Sequence, residues 1–375
     1  MAGKRRTWRG RAVVVGAGVG GLATAVGLRR AGWAVSVLER RAEPERYGTA
    51  FGIHPRAQAA LERLGVGEAF GCRAVPYRSG HIRRPDGTVL ASLPLARIER
   101  RAGRPELLIS RPYLLDALAA ELDALGAEGG VRVEYGAEYG AESDGSAEPG
   151  GGCDLLVGAD GIRSAGRTAR FGTRSRPRTV GTVAWIGIAD IESGVYGETW
   201  GRGRFFGMTP VEPGRTNWYA TLPGGDADTG TGLGTGPDAD AVRACFAEWH
   251  APIARVLDAT DPASWVRYEM RHLAPALPSF VTYADGERVA LVGDAAHAMT
   301  PNLGQGACTA LLDAEALARA VAAHGRRALP EALRAYDAER RRSAQRVALG
   351  SRSLHRLMTA RRTGPRDALV RCVPG

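Results

Sequence analysis

Lysine is nearly absent from this sequence, and cysteine is scarce. Lys4 is the only lysine among the 50 Lys and Arg residues, so a Schiff-base lysine or a lysine general acid is excluded unless Lys4 supplies it. The five cysteines are scattered, odd in number and form no C-x-x-C pair. This usage argues against a disulfide framework and a structural zinc site. We therefore expect no metal and a reduced, cytoplasmic setting.

Two further absences narrow the class of protein. No secretory signal is visible, because the basic start leads directly into a strand-like run. The uncharged stretch 12–28 is rich in glycine and of marginal length, so we predict no membrane span. The net charge is +10, but the basic residues are spread along the chain and do not gather in an aromatic-interleaved patch. We therefore predict no nucleic-acid partner.

A glycine motif near the start predicts a dinucleotide site. The β-branched run Ala12 to Val15 favours a buried parallel strand, and glycines follow it at G-x-G-x-x-G spacing before a helical segment. Such glycines permit a tight turn, close approach of the backbone to a pyrophosphate, and close packing of helix on strand. The next strand ends at Glu39, where a carboxylate can bind ribose hydroxyls. The predicted contacts are Gly16, Gly18, Val19, Gly20, Gly21, Glu39 and Arg40.

The pattern of the chain changes in its middle and changes back later. A length of 375 residues suits one intertwined two-domain unit or two domains. Arg111 to Leu125 is an amphipathic helix, whereas 178–222 reads as strands rich in aromatic residues, typical of an antiparallel sheet with one face on a pocket. Val289 to Val292 again favours a parallel strand. Long helices are predicted at 306–323 and 330–358.

Two later strands run into loops with specific sequences. Asp154 to Val157 leads into Gly158-Ala159-Asp160-Gly161, and Val289 to Val292 leads into Gly293-Asp294-Ala295-Ala296-His297 and Pro301-Asn302-Leu303-Gly304-Gln305-Gly306. With these residues the chain resembles the single-component flavoprotein monooxygenases, the group of para-hydroxybenzoate hydroxylase. The tighter likeness is to salicylate and urate hydroxylases and zeaxanthin epoxidase, over nearly the whole chain. The resemblance implies that the dinucleotide is FAD.

The resemblance also implies the fold class and the division of the chain. We expect an α/β fold, in which a Rossmann-like FAD-binding domain carries an inserted, mostly antiparallel β-sheet substrate domain and a C-terminal helix. The FAD-binding domain is expected to be discontinuous. The expected ranges are 1–71, 104–175 and 281–325 for the FAD-binding domain, 72–103 and 176–280 for the substrate-binding sheet domain, and 326–375 for the C-terminal helical segment.

Further FAD contacts follow from the family motifs. Asp294 would accept a hydrogen bond from the ribityl chain, and Arg111 would pair with the pyrophosphate. The segment Pro301 to Gly306 leads into a helix, whose N–H groups and dipole would stabilise negative charge on the reduced flavin. His297 is expected to support the turn around Asp294. The implied contacts are Arg111, Asp160, Gly161, Gly293, Asp294, Pro301, Gly304, Gln305 and Gly306.

The family implies an FAD-dependent monooxygenase. NADH or NADPH would reduce the flavin, and oxygen would then form a flavin C4a-hydroperoxide that delivers one oxygen atom to an aromatic or polycyclic small molecule. The outcome would be hydroxylation or epoxidation, in natural-product biosynthesis or aromatic catabolism. The expected partners are the small-molecule substrate, O2 and NAD(P)H, and the expected state is a monomer or homodimer.

Substrate-site candidates come from the middle sheet and the late motif. Side-chain alternation places some of the sheet candidates on the opposite face, so about half of them are expected to be ordinary core or surface residues. No catalytic residue is assigned. The weak catalytic candidates are His54, for which a capping role is also open, Arg56, where the family often has asparagine, and Tyr219. The predicted pocket residues are Trp185, Phe206, Met208, Tyr219 and Pro301.

Other classes remain to be distinguished. A flavin-dependent halogenase needs a catalytic lysine and a Trp-x-Trp-x-Ile-Pro segment, and neither is present in the body of this chain. A plain NAD dehydrogenase leaves Asp160 and Asp294 unexplained. A lipid-handling escort protein of related fold would retain FAD without oxidising NAD(P)H. A flavin-bound enzyme with other chemistry, such as an oxidase, a Baeyer-Villiger-type enzyme or a cyclase, is the main alternative.

Overall fold

The computed structural model describes residues 8–46, 49–127, 129–139, 153–224, 232–233, 238–283 and 286–372, so Lys4 lies outside the described residues. The strands are β1 (Arg11–Val15), β2 (Ala34–Glu39), β3 (Ala50–Ile53), β4 (Val75–Tyr77), β5 (His81–Arg83), β6 (Val89–Ser92), β7 (Glu106–Ser110), β8 (Val131–Tyr135), β9 (Leu155–Gly158), β10 (Arg176–Ala189), β11 (Gly197–Trp200), β12 (Phe205–Glu212), β13 (Arg215–Pro223), β14 (Gly232–Leu233), β15 (Val266–Ala274), β16 (Val281–Thr282) and β17 (Val289–Leu291). The helices are α1 (Val19–Arg30), α2 (Pro55–Arg63), α3 (Gly67–Gly71), α4 (Leu95–Ala102), α5 (Arg111–Gly126), α6 (Ala165–Phe171), α7 (Asp238–Phe246), α8 (Pro252–Asp258), α9 (Asp294–His297), α10 (Gly306–His324), α11 (Leu329–Met358) and α12 (Thr363–Arg371).

A six-stranded, mostly parallel sheet has the order β16-β17-β9-β1-β2-β8. Only β16 runs antiparallel to its neighbour. The strands β1, β9 and β17 are short apolar runs, which suits strands that helices cover on both faces. Because these three strands are parallel neighbours, their carboxyl ends and the loops that follow them lie side by side at one edge.

Helix α1 packs closely between α10 and α5 against this sheet. Gly27 makes the approach possible, since a Cβ at this position would lie 2.5 Å from the Cβ of Ala318 on α10. The largest core cluster joins these helices to the sheet through residues such as Leu22, Val26 and Leu317. This packing brings the first turns of α1 and α10 to the edge that carries the three loops.

A second sheet of eight strands has the order β14-β15-β10-β13-β12-β11-β5-β6 and is antiparallel except where β11 pairs with β5. One of its faces is covered by α7 and α8, which contribute Phe246 and Ile253 to a separate core cluster. On the opposite face, the side chain of Met358 from α11 packs with Phe205 and Trp200.

A small antiparallel sheet, β3-β7-β4, lies between the two large sheets. It is tied to the eight-stranded sheet by Asn217, whose Oδ1 accepts a hydrogen bond from the N–H of Ala50 at 3.2 Å. Strand β4 comes from the range expected for the substrate domain, whereas β3 and β7 come from ranges expected for the FAD domain. The small sheet therefore joins the segments that the sequence separates.

The predicted fold class is confirmed: a Rossmann-like parallel sheet, a largely antiparallel sheet inserted into the chain, and helices at the C-terminal side. No helix in the described part of the chain is long and apolar enough to span a bilayer. In the same residues, no group of three or more His, Cys, Asp and Glu side chains is arranged to hold a metal ion.

Candidate active site

The turn between β1 and α1 has the geometry that a phosphate-binding loop needs. Gly16 has a φ of 107°, and a Cβ on it would lie 2.4 Å from the carbonyl oxygen of Ala159. A Cβ on Gly21 would lie 1.8 Å from the carbonyl oxygen of Gly16. At Gly18, the N-cap of α1, no atom of the described residues lies within 4 Å of a Cβ. Open space beside free helical N–H groups suits an anionic phosphate.

Glu39 closes this loop from the end of β2. Its buried carboxylate accepts hydrogen bonds from the N–H of Ala17 at 2.8 Å and from the N–H of Arg41 at 3.0 Å. These bonds connect the glycine turn to the second strand, and lone pairs remain on both oxygens for a ribose hydroxyl. Arg40, the next residue, is exposed.

The loop after β9 reaches both of its neighbours. Asp160 accepts a hydrogen bond from the N–H of Gly166 through Oδ2 at 3.3 Å, while its buried Oδ1 has no partner among the described residues. Arg167 is 1% exposed and donates to the carbonyl oxygen of Ala295 at 3.1 Å and of Ile162 at 2.7 Å. This arginine therefore joins the second loop to the third.

Asp294 begins α9 directly after the turn that follows β17. Gly293 has a φ of 60°, and a Cβ on it would lie 3.2 Å from the Cβ of Ala310 on α10. The Asp294 side chain is exposed to solvent, yet the surrounding protein reduces its hydration and raises its pKa against the opposing charges of His297, Arg111 and Arg167. A carboxyl that solvent reaches but protein surrounds lies in a recess.

A buried ionic network stands behind this loop. The carboxylate of Asp313 accepts hydrogen bonds from His297 Nε2 at 2.5 Å, from Arg340 Nε at 2.9 Å and from the N–H of Gly293 at 3.1 Å. Burial opposes its ionisation, but the charges and hydrogen bonds of His297 and Arg340 hold the pKa of Asp313 below its ordinary value. The network fixes the turn that presents Asp294, so His297 lies where a structural role was expected.

The segment that begins at Pro301 leads into the N-terminus of α10. Residues Pro301–Leu303 form a 3-10 turn, Gly304 has a φ of 63°, and α10 begins at Gly306 after the N-cap Gln305. Helix α11 supports the turn, because Ser351 Oγ accepts a hydrogen bond from the N–H of Leu303 at 3.3 Å. Pro301 and Gly304 are exposed, so this turn presents backbone to its surroundings.

Arg111 lies at the start of α5 and is partly engaged. Its Nη2 forms an ion pair with Glu45 at 2.7 Å, whereas its buried Nε has no partner among the described residues. Its charge lowers the pKa of Asp294, so the two side chains are close in space. Arg111 therefore keeps an unused donor near the recess.

His54 lies between the small sheet and the Pro301 turn. It is the N-cap of α2, its Nδ1 lies 3.3 Å from Glu106 Oε2, and the backbone of Leu303 lies beside its ring. Burial lowers the pKa of His54, but the hydrogen bond and charge of Glu106 outweigh it and raise the pKa above the ordinary 6.5. His54 is thus an ionisable group held next to the predicted flavin turn.

Arg56 does not join this group. It is exposed and lines a groove with residues of α10 and α11, among them Glu315, Arg319 and Glu339. Neither His54 nor Tyr219 lines that groove. The two catalytic candidates His54 and Arg56, although only two residues apart, therefore lie in different environments because α2 begins between them.

The eight-stranded sheet separates the predicted pocket residues. Trp185, Phe206 and Met208 belong to the cluster that α7 and α8 cover. Tyr219 pairs with Gly207, one residue out of phase, and packs in the cluster on the other face. The four candidates therefore do not share one face, because alternation along paired strands places Tyr219 opposite the other three, and the assignment of any of them to a substrate pocket stays a prediction.

Tyr219 takes part in a polar group on its own face. Its hydroxyl donates to Glu198 Oε1 at 2.8 Å, and Trp200 Nε1 donates to Glu198 Oε2 at 2.8 Å. Tyr77 lies close enough for Glu198 to affect its pKa, and its buried hydroxyl has no hydrogen-bond partner among the described residues. Glu106, which binds His54, acts on Tyr77 as well.

Sequence reasoning missed several of these residues. Asp313 and Glu106 stand in ordinary helix and strand patterns and carry no local signal. Glu198 does carry one, since it is a lone carboxylate beside Trp200 in a buried strand. An unpaired acid in such a strand is rare enough to indicate a site.

The comparisons with known proteins agree with this geometry. Residues 10–351 match the family model described as FAD binding domain. The aurachin C monooxygenase/isomerase of Stigmatella aurantiaca is 35% identical over 352 residues, covering 90% of this chain and 87% of that protein. An FAD-dependent urate hydroxylase of Klebsiella pneumoniae is 32% identical over 355 residues, covering 88% and 85%.

Solved structures give the same result. The structure of Klebsiella pneumoniae HpxO complexed with FAD and uric acid superposes with a TM-score of 0.81 at 28% identity, covering 97% of this chain and 93% of that one. A salicylate hydroxylase substrate complex, at 24% identity and a TM-score of 0.74, shows the same fold over 96% and 92%. The chain belongs to the FAD binding domain family and is one of its FAD-dependent monooxygenases.

Proposed function

We propose that this FAD-dependent monooxygenase uses NADH or NADPH to insert one atom of O2 into an aromatic heterocycle or a polycyclic aromatic molecule. The overall reaction consumes substrate, O2, NAD(P)H and a proton, and yields oxygenated product, water and NAD(P)+. Relatives named for urate, aurachin C and 2-heptyl-3-hydroxy-4(1H)-quinolone support a fused nitrogen-containing ring as the substrate.

The observation that carries this proposal is the convergence of three loops on one edge of the parallel sheet. The loops after β1, β9 and β17 contact each other, and they contain open space at Gly18, an unpartnered oxygen on Asp160 and a recessed carboxyl on Asp294. These features fit an elongated ligand with phosphates and hydroxyls, as FAD is. A bound flavin supplies the redox and oxygen chemistry.

The chain's own residues would hold and orient the flavin. The N–H groups at Gly18 and Val19 would bind the pyrophosphate with Arg111, and Glu39 would accept from a ribose hydroxyl. Asp294 would accept from the ribityl chain. The first N–H groups of α10 after Gly304 would stabilise negative charge on the ring.

Substrate would lie between the Pro301 turn and the face of the eight-stranded sheet that carries Tyr219. His54 is held beside that turn by Glu106 and would hold or transfer a proton of the substrate. The apolar neighbours on this face, including Met270 and Met358, would exclude water from the reacting ring. We further propose a cytoplasmic monomer or homodimer, without nucleic acid as partner.

The test uses the FAD-loaded protein under anaerobic conditions. NADH and NADPH are added separately, flavin bleaching is followed at 450 nm (roughly the flavin maximum), and ¹⁸O2 is then admitted with a panel of fused heteroaromatic compounds. We expect bleaching by one or both nucleotides and a product heavier by one ¹⁸O atom. The variant Asp294→Ala should retain less FAD than wild type. The control variant Asp123→Ala, at an exposed position on α5, should behave as wild type.

The outcomes separate the proposed function from its alternatives. Hydrogen peroxide formed in stoichiometric amount with every compound, without ¹⁸O in any product, would indicate an oxidase. FAD retention without oxidation of either nucleotide would indicate a carrier or a cyclase. Either result would overturn the proposal.

A further inference from the structure

The polar group around Glu198 is unusual because the hydrogen-bond donors to this carboxyl group are uncharged. Glu198 is half-buried on β11, and it accepts hydrogen bonds from the Tyr219 hydroxyl and the Trp200 indole, both at 2.8 Å. In the part of the chain that the structure describes, no arginine or histidine forms an ion pair with it. Burial raises the pKa of Glu198 more strongly than these two bonds lower it.

A glycine makes this arrangement possible. Gly207 lies between Glu198 and Tyr219 in the strand pairing, and a Cβ on it would lie 2.0 Å from Tyr219 Cζ. The tyrosine ring therefore lies flat across β12 and reaches the acid on β11. The geometry is specific to this site, since a side chain at position 207 would displace the ring.

An independent feature next to this group indicates a missing partner. Tyr77 on β4 is 6% exposed, and its hydroxyl has no hydrogen-bond partner among the described residues. A buried hydroxyl without a partner has lost its hydration without compensation, so such groups are usually satisfied by a ligand or by water. Gly80 gives the hydroxyl room, because a Cβ there would lie 2.3 Å from it.

We propose that Glu198, Tyr219 and Tyr77 form the polar end of the substrate pocket and bind the N–H or O–H donor of a neutral aromatic ring. Glu198 would accept from this donor, and Tyr219 and Trp200 hold the acid in place. The hydroxyl of Tyr77 would bond the same polar edge of the ring. This inference rests on the proposed function and specifies its substrate class.

The acidic residues around this site disfavour the binding of anionic aromatic acids. A carboxylate ligand would meet the acid Glu198 and, close by, Glu106, and both would oppose it. Arg83, whose charge acts on Tyr77, is already engaged by the carbonyl oxygen of Tyr196 at 3.1 Å and by His81 Nδ1 at 3.3 Å. A neutral ring with a hydrogen-bond donor therefore fits better than a benzoate.

The experiment measures ligand binding to oxidised, FAD-loaded protein by the change in the flavin spectrum, without NAD(P)H. The probes are two matched pairs: 4(1H)-quinolone with 1-methyl-4-quinolone, and 2-naphthol with 2-methoxynaphthalene. In wild type, we expect at least one donor probe to bind about tenfold more tightly than its methylated partner, as a site built around a hydrogen bond requires. Glu198→Ala should bring that ratio to about one.

Two further variants separate a ligand contact from a structural role. Tyr77→Phe removes a hydroxyl that has no hydrogen-bond partner among the described residues, so the thermal midpoint should not fall, while the donor probe should bind several-fold more weakly. Glu192→Gln, an exposed acid whose Oε1 accepts from the N–H of Gly214, should change neither quantity.

Two results would overturn the inference. One is wild-type protein that binds no donor probe more tightly than its methylated partner. The other is a preference that survives in Glu198→Ala. A protein that oxygenates a substrate but lacks the preference would refute only this inference. Loss of FAD binding or of NAD(P)H oxidation would refute the proposed function itself.

Discussion

At the scale of single residues, the site depends on ionisable groups whose neighbours set their charge. The charges of His297 and Arg340 lower the pKa of Asp313, burial raises the pKa of Glu198, and Glu106 raises the pKa of His54 against burial. His54 caps α2, whereas Glu198 lies within β11 and Asp313 lies within α10, so regular backbone geometry positions each charge. The direction of each pKa shift leads to a measurable effect.

The variant Glu106→Gln should lower the pKa of His54. The carboxylate of Glu106 raises that pKa against burial, and once it is gone only the backbone of Leu303 opposes the effect of burial. The NMR titration of the His54 ring should move to lower pH, and any limb of the pH-rate profile that reports His54 should move with it. An unchanged titration would show that the 3.3 Å contact does not exist in solution.

The variant Asp313→Asn should destabilise the fold by about 3 kcal/mol, because it leaves Arg340 and His297 without their anion. The Asp313 pKa is lowered in the folded state, so its stabilisation is present above the ordinary range near pH 3.9 and is lost as the pH falls through the folded value. Urea unfolding at pH 7 should show the difference. The exposed-site variant Asp123→Asn should not, and equal stability of the two would contradict the network.

At the scale of elements, the two large sheets differ in how their faces are covered and in where they carry the proposed sites. The apolar strands β1, β9 and β17 are covered on both faces, and we propose that FAD binds at their carboxyl ends. The eight-stranded sheet has one face on α7 and α8 and one face toward the small sheet, so we propose that substrate contacts alternate residues of this second face. The helices α1 and α9, which follow β1 and β17, are capped by Gly18 and Gly293, whereas α6, which follows β9, is capped by Ser164.

The same substitution at two glycines of the first turn should have opposite effects. Gly21→Ala places a Cβ 1.8 Å from the carbonyl oxygen of Gly16, so it should lower the free energy of unfolding by about 1–3 kcal/mol. Gly18→Ala meets no described protein atom within 4 Å and has an ordinary φ, so the stability of the FAD-free protein should be unchanged.

The FAD affinity of Gly18→Ala should nevertheless fall by tenfold or more, because the Cβ would occupy the space of the pyrophosphate. Thermal unfolding of FAD-free protein and FAD titration by fluorescence measure the two quantities. If Gly18→Ala binds FAD as wild type does, the pyrophosphate does not lie at this turn.

At the scale of the whole molecule, the C-terminal helices hold both halves of the site. Helix α11 supports the Pro301 turn through Ser351 and the Gly293 loop through Arg340. Helix α12 docks on the eight-stranded sheet, where buried Arg366 donates to the carbonyl oxygens of Gly201 at 2.6 Å and Trp200 at 3.0 Å. Helix α12 therefore stabilises the end of β11, the strand that carries Glu198.

The variant Arg366→Met should cost about 3 kcal/mol of stability, because two carbonyl groups lose their donor and Asp367 keeps only one of its two arginine partners, Arg84. Hydrogen exchange should accelerate in β11 more than in β1, since α12 braces only the former. The matched variant Arg371→Met, at the exposed end of the same helix, should leave both unchanged. Uniform acceleration across the molecule would contradict local docking.

The sequence predicted the parallel-sheet half of the molecule more fully than the other half. The motifs at Gly16, Asp160 and Gly293 are local patterns, in which a strand, a turn and a helix follow each other within a few residues. Helices α7 and α8 and the three-stranded sheet were not predicted, because their partners are distant in the chain. The expected domain ranges remain a prediction. Strand β4, from the range expected for the substrate domain, pairs with β7, from a range expected for the FAD-binding domain.

The sequence alone determined the chemistry of the cofactor loops. Glycine spacing and strand periodicity are short-range properties that the backbone itself imposes. Only the tertiary structure decided which side chains meet across the substrate face. The pairing of β11, β12 and β13 brings Glu198 to Tyr219 and sends Trp185 to the other side. Long-range register sets such contacts, and register is fixed by the packing of the entire sheet.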